Sequence, residues 1–148
     1  MSRRVLAIAS GGGHWVQLLR LRPAFADCAV SFATVHADSA ADLDGAPLFT
    51  FRDASRRDWW NFLASSLQIA AIVLRVRPHV VVTTGAMPPL AALMIGRLIG
   101  ARTLWVDSVA NSEESSGSAR IARRFATQVV TQWPQLATPA MPCWGSVL

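Results

Sequence analysis

The sequence predicts an α/β fold, a Rossmann-like parallel sheet with helices on both faces. Strand-like and helix-like runs alternate along all 148 residues, the pattern of βαβ units. Val80-Val81-Val82-Thr83-Thr84 is a β-branched run suited to the centre of a parallel sheet. Polar and glycine residues collect at the carboxyl ends of the runs, at Ser10–His14, Thr84–Pro88, Asp107-Ser108 and Gln132-Trp133. Ligands of open α/β sheets bind at those ends.

The first strand covers about Val5–Ser10, and a helix follows over about His14–Phe25 with Trp15, Leu18 and Leu19 on its apolar face. Val30–Val35 reads as the second strand. His36–Ala46 reads as loop, with Asp38, Asp42 and Asp44 exposed, and Pro47–Arg52 as a short third strand. A long helix runs from about Asp58 to Val76, where Trp60, Leu63, Leu67, Ala71 and Leu74 share one stripe and Pro78 ends it. After the fourth strand, Gly85-Ala86-Met87-Pro88-Pro89 turns into an apolar helix over Leu90–Ile99, closed by Gly100. Thr103–Val106 is the fifth strand. A polar loop over Ala110–Gly117 and a short basic helix over Ser118–Phe125 follow. Gln128–Thr131 is the sixth strand, and the tail beyond Pro139 reads as coil. The length fits one domain, 1–148.

Hydrophobic residues make up 52% of the chain, more than a soluble domain needs. That calls for a second covering surface, a membrane or a partner. The formal charge of +5 comes from arginine alone, since the chain has no lysine. A P-loop and Schiff-base chemistry are thereby excluded. Cys28 and Cys143 stand in no ligand-like spacing, and no signal peptide is visible. A reducing cytoplasm is the simplest expectation. Three scattered histidines without a CxxC predict no metal site. The uncharged stretch Trp59–Leu74 holds Asn61, Ser65, Ser66 and Gln68 and falls short of the ~20 apolar residues of a membrane span.

The Gly11-Gly12-Gly13-His14 turn is the centre of the sequence. A helix that opens just after such a turn directs free N–H groups and a positive dipole end outward, which suits pyrophosphate. The alternative is a tight strand-to-helix turn without a ligand. The dinucleotide fingerprint would need glycine where Val16 stands. His14, in the first helical turn, is a candidate general base on a sugar hydroxyl, or else a cap. Asp107 is placed to orient a sugar hydroxyl, to pair with an arginine, or to cap structure. His79 reads as structural and His36 as solvated. Arg52, Arg56 and Arg57 flank Trp59, Trp60 and Phe62. Arginine beside clustered aromatics at a helix start suits contact with anionic lipid, or a core helix with a solvated start. Nothing resembles a nucleic-acid-binding stripe.

Several of these motifs resemble one family. Ala9-Ser10-Gly11-Gly12-Gly13-His14 resembles the glycine-rich loop of GT-B glycosyltransferases that use lipid-linked acceptors. Arg77–Ala86 is similar to their "RPDVVVSTG" stretch. Leu104–Ser108 resembles "vyiES", with Asp for Glu, and Val129–Pro134 resembles "vvQWPE". Within that group the chain is most similar to the PssD-type capsule and exopolysaccharide subunits. These are related to the membrane-anchoring subunit of the dolichol-linked N-acetylglucosaminyltransferase.

The resemblance implies the amino-terminal half of a GT-B enzyme. It implies an acceptor-binding subunit of an inverting, metal-independent transferase, inactive or weakly active alone, at the cytoplasmic face of the membrane. A partner chain would bind the UDP-sugar, so no cofactor is expected here. The acceptor would be a polyprenyl-diphosphate-linked saccharide, met by Gly11, Gly12, Gly13, Thr84, Gly85, Ala86 and Ser108. His14 and Asp107 would be catalytic, and Arg56, Arg57, Trp59, Trp60 and Phe62 would touch the membrane. The eukaryotic member carries an amino-terminal membrane helix, whereas Met1-Ser2-Arg3-Arg4 leads straight into the first strand. Anchoring is therefore expected from surface helices or the partner. A non-catalytic scaffold that recruits a soluble transferase is the alternative, and a small nucleotide-binding protein a third. The identity of the sugar is not written in this chain.

Overall fold

The computed structural model describes residues 1–55 and 57–148. Six strands, β1 (Arg4–Ile8), β2 (Ala29–Thr34), β3 (Leu48–Thr50), β4 (Val80–Thr83), β5 (Arg102–Val106) and β6 (Gln128–Val130), form one sheet in the order β3-β2-β1-β4-β5-β6. Every pairing is parallel. Among the described residues four α-helices connect them: α1 (Gly13–Arg20), α2 (Trp59–Val76), α3 (Pro89–Leu98) and α4 (Gly117–Ala122).

Alternation along the strands divides the core in two. Leu6 and Ile8 of β1 join Val81, Trp105 and Val129 on one face, under Ile69, Ile72 and Val73 of α2 and Leu90 and Leu93 of α3. Val5, Ala7 and Ala9 join Phe32 and Val82 on the other face, under Trp15 and Leu18 of α1. Helices thus cover both faces, as the alternation of the sequence predicts. Truncating a side chain such as Ile69, fully buried, would cost about 2–5 kcal/mol.

Local chemistry sets the element ends. The carboxylate of Asp58 accepts the N–H of Asn61 at 3.1 Å and caps α2. Ser116 does the same for Ala119 in α4 at 2.9 Å. The first helix stops at Arg20 and gives way to a 3₁₀ turn over Arg22–Phe25, short of the expected end. Pro23 has no N–H to continue the helical ladder. A second 3₁₀ segment, Ala37–Asp42, occupies the expected loop after β2.

Two regions differ from expectation more substantially. The tail is irregular but anchored. The guanidinium of Arg20 donates to the Val147 carbonyl at 2.7 Å, and the Val147 N–H donates to Gln132 Oε1 at 2.9 Å. Helix α2 has 18 residues and is long and apolar enough, by length and composition, to cross a membrane. Only 22% of it is buried within the fold. The face turned to the sheet is Ser65, Ile69, Ile72 and Val73. The stripe of Trp60, Leu63, Leu67 and Leu74 faces outward.

Candidate functional site

The strand order reverses between β1 and β4, and α1 and α3 cover opposite faces of the sheet. Such a reversal opens a crevice above the carboxyl ends of the two strands. The turn after β1 brings Gly11–His14 to it, and the turn after β4 brings Thr84, Gly85 and Ala86. The two turns are bonded to each other. The Thr84 hydroxyl donates to the His14 carbonyl at 2.6 Å, and His14 Nδ1 meets the Thr84 carbonyl at 3.0 Å. A carbonyl only accepts, so Nδ1 carries the proton. The neutral imidazole then holds its lone pair on Nε2.

Gly12, the residue before α1, has φ +62° and ψ −137°, a conformation that suits glycine. Open space surrounds Gly12 and Gly13. Among the described residues, the N–H groups of Gly12, Gly13 and His14 meet no internal acceptor. The start of α1 therefore presents unpaired donors and its positive dipole end at the crevice. On the far side of the turn, the imidazole of His36 lies 2.7 Å from where a Cβ on Gly11 would stand. His36 is exposed, as its sequence context predicts, yet its ring borders the glycine turn.

Asp107 and Ser108 follow β5, and both are buried. Asp107 Oδ1 accepts from the Ser116 hydroxyl at 2.7 Å and from Asn111 and Trp105 Nε1 at 3.3 Å each. Its Oδ2 accepts the Ser116 N–H at 2.9 Å. Both oxygens are engaged internally and, among the described residues, no arginine pairs with them, so the capping alternative is the one the geometry supports. The carboxylate of Asp107 ties the 107–116 loop. The Ser108 hydroxyl accepts from Gln17 at 3.0 Å and from the Ala110 N–H at 3.2 Å, turned inward rather than to the crevice.

Gln17 joins these parts and is absent from the sequence reading. Its Nε2 donates to Ser108 Oγ and to the Gly13 carbonyl, at 3.3 Å. Its Oε1 accepts the Val109 N–H at 3.1 Å and Gln132 Nε2 at 2.8 Å. Gln132 also donates to the Asp107 carbonyl at 2.9 Å. One buried glutamine thus links the glycine turn, the loop after β5 and the end of β6. A glutamine beside exposed Val16 in an amphipathic helix reads as a surface residue, and only the clustering of polar residues at strand ends hinted at this network.

The sequence-predicted membrane residues sit at the start of α2. Trp59 and Trp60 are 58% and 66% exposed and stack with ring centroids 3.9 Å apart. Arg57 is exposed and Phe62 half-buried. Arg56 lies outside the described residues. Among the described residues no group of three or more His, Cys, Asp or Glu is placed to hold a metal ion. The glycine crevice is an open rim. A concavity of about 660 Å³ lies at the opposite edge of the sheet, and an apolar one of about 340 Å³ lies beneath the tail.

Comparison with known proteins fits this geometry. The sequence is 28% identical to the UDP-N-acetylglucosamine transferase subunit ALG14 of Eremothecium gossypii, over 91% of this chain and 75% of that protein. The chain is similar to that subunit over most of its length. No family model matches it. Among solved structures, MurG of Acinetobacter baumannii superposes on 99% of this chain with a TM-score of 0.78 at 14% identity. A putative UDP-N-acetylglucosamine 2-epimerase from Listeria monocytogenes superposes on 89% with a TM-score of 0.66 at 10% identity. The chain spans 46% and 40% of those two chains, under half of each. The chain therefore has the fold of one Rossmann-like half of a GT-B glycosyltransferase.

Proposed function

We propose that this chain is the acceptor-binding, membrane-associated half of a two-chain glycosyltransferase. It would act in polysaccharide biosynthesis of the exopolysaccharide or capsule kind. The pair would move a sugar from a UDP-sugar onto a polyprenyl-diphosphate-linked saccharide at the cytoplasmic face of the membrane, with this chain bound peripherally. The similar protein ALG14 is a subunit of a UDP-N-acetylglucosamine transferase by name. The fold superposes on 46% of MurG, and in this reading a partner chain carries the nucleotide-sugar domain. An open rim is what half of an interdomain cleft looks like before the other wall arrives.

The observation that carries the reading is the contact of His14 Nδ1 with the Thr84 carbonyl at 3.0 Å. With Nδ1–H turned to that carbonyl, Nε2 would be the base. It would take the proton of the acceptor hydroxyl. That oxygen would form the new bond to the anomeric carbon, from the face opposite the breaking bond, and UDP would leave with the bonding pair, inverting the centre. The unpaired amides of Gly12 and Gly13 would hold the acceptor diphosphate, with Gly11 allowing close approach. Thr84, Gly85 and Ala86 form the second wall. Ser108 and Asp107 would act behind it, holding the loop in place.

The test is transfer by this chain and its co-purifying partner, mixed and separately. Transfer by the pair with little or none by either chain alone is the expected result. Full turnover by this chain alone would refute the half-enzyme.

The scaffold reading is favoured by one feature, the extended apolar outer face of α2. If it holds, His14→Ala and Gly12→Ala leave transfer by the pair unchanged, whereas Trp59→Ser/Trp60→Ser removes membrane-coupled transfer.

A further inference from the structure

The edge of the sheet opposite the crevice, at the amino ends of the strands, is basic. The segments that lead into β1, β4 and β5, residues 1–4, 75–79 and 97–102, contain no aspartate or glutamate. They line the concavity of about 660 Å³ with Arg3, Arg4, Arg77 and Arg102. Among the described residues the ion pairs are Arg22–Asp44 and Arg120–Glu114, so none of these four guanidiniums has a carboxylate partner.

The concavity is also built. Arg4 Nε donates to the Arg77 carbonyl at 2.9 Å, tying β1 to the end of α2. The Arg4 N–H donates to His79 Nδ1 at 3.0 Å, which leaves Nε2–H of the neutral ring as a donor. Guanidiniums offer donors and no acceptor. The lining is therefore a set of donors and positive charges, suited to phosphate. Arg77 itself closes α2 in the left-handed region, φ 47°, a position where glycine is the usual occupant.

One wall is apolar. Leu74 and Ile99 line the same concavity and are 55% and 41% exposed. The apolar surface continues outward through Leu98, 85% exposed, and along α2 through Leu67, 64% exposed. A soluble phosphate needs no such wall, whereas a phosphate that carries acyl chains does. The 18-residue α2 is about 27 Å long. It has Arg57 ahead of its first turn and Arg77 at its end, with apolar side chains outward between them. That is the layout of a helix lying in a membrane interface.

We propose that Arg3, Arg4, Arg77 and Arg102 form a headgroup site for an anionic glycerophospholipid. The phosphate sits among the guanidiniums and the acyl ester region lies against Leu74 and Ile99. This extends the membrane reading above. Helix α2 then rests flat on the bilayer at both ends, rather than touching it at the tryptophan end alone.

The experiment is sedimentation of the full chain with phosphatidylcholine vesicles, with and without phosphatidylglycerol. The test variant is Arg77→Asn/Arg102→Gln, since asparagine tolerates the left-handed region. Arg123→Gln/Arg124→Gln is the charge-matched control outside the concavity. The wild-type chain is expected to prefer phosphatidylglycerol vesicles. Each arginine at an anionic surface is worth about fivefold in binding, so the test variant should lose about thirtyfold and the control clearly less. Arg3→Gln, an exposed change ahead of β1, should lose about fivefold and serves if the double variant folds poorly. Equal losses in both double variants would overturn the site in favour of general basicity. Equal wild-type binding to both vesicle types would overturn it as well. Binding of sn-glycerol 3-phosphate with no vesicle binding would assign the site to a soluble phosphate and reject the lipid. Loss of binding to both vesicle types in Trp59→Ser/Trp60→Ser, with the phosphatidylglycerol preference of the remainder intact, reports on the tryptophan contact separately.

Discussion

A Cβ placed on Gly85 would stand 2.6 Å from Nδ1 of His14 and 2.7 Å from its Cε1. The imidazole occupies the space that any other residue at position 85 would fill. Gly85 also has φ +135°, a backbone that L side chains rarely adopt. The glycine after β4 is thus a condition for the orientation of the histidine after β1.

Gly85→Ala should therefore disable the site by displacing His14. We expect kcat of the reconstituted pair to fall about a hundredfold, within the range of a lost general base. His14→Ala should cost a similar factor, and the double variant little more than either alone. Multiplied losses in the double variant would separate the two residues.

Gln17→Leu removes the partner of four polar groups at once. The Val109 N–H and Gln132 Nε2 lose an acceptor, and Ser108 Oγ and the Gly13 carbonyl lose a donor. Buried polar groups left unpaired cost about 1–3 kcal/mol each, so the variant should lose about 2–4 kcal/mol by urea denaturation. A change below about 0.5 kcal/mol would mean that water replaces the side chain without loss.

Asp107→Ala tests whether that carboxylate touches substrate. With Ser116 and Asn111 deprived of their acceptor, stability should drop by about 2–4 kcal/mol. Turnover per folded molecule should fall less than tenfold. Full stability with transfer abolished would restore Asp107 to the acceptor sugar.

The stacked pair Trp59 and Trp60 contributes little to the fold, since both rings are more than half exposed. Trp59→Ser/Trp60→Ser should change the unfolding free energy by no more than about 0.5 kcal/mol. Vesicle partitioning should weaken by about 1–2 kcal/mol per ring, for partial burial in the interface. Unaltered partitioning in co-sedimentation would place the membrane contact elsewhere.

Which face of α2 turns inward was not legible. Trp60, Leu63, Leu67 and Leu74 form as good a stripe as Ile69, Ile72 and Val73, and a helix apolar all round carries no directional signal. The buried stripe even includes Ser65, whose hydroxyl has no hydrogen-bond partner among the described residues. The roles of Gln17 and Asp107 were hidden for a related reason. A polar side chain looks the same in sequence whether it faces water or completes a buried network.

By itself the sequence determined the parallel sheet, the order of its elements and the gathering of polar turns at the carboxyl ends of the strands. Those properties are local: β-branched runs, glycine turns and helix breakers act over a few residues. The tertiary structure decided which nitrogen of His14 is free, which carboxylate is consumed internally and where the arginines converge. Each of those depends on partners far apart in the chain, as His14 and Thr84 are, and only the packing of the sheet brings them within bonding distance.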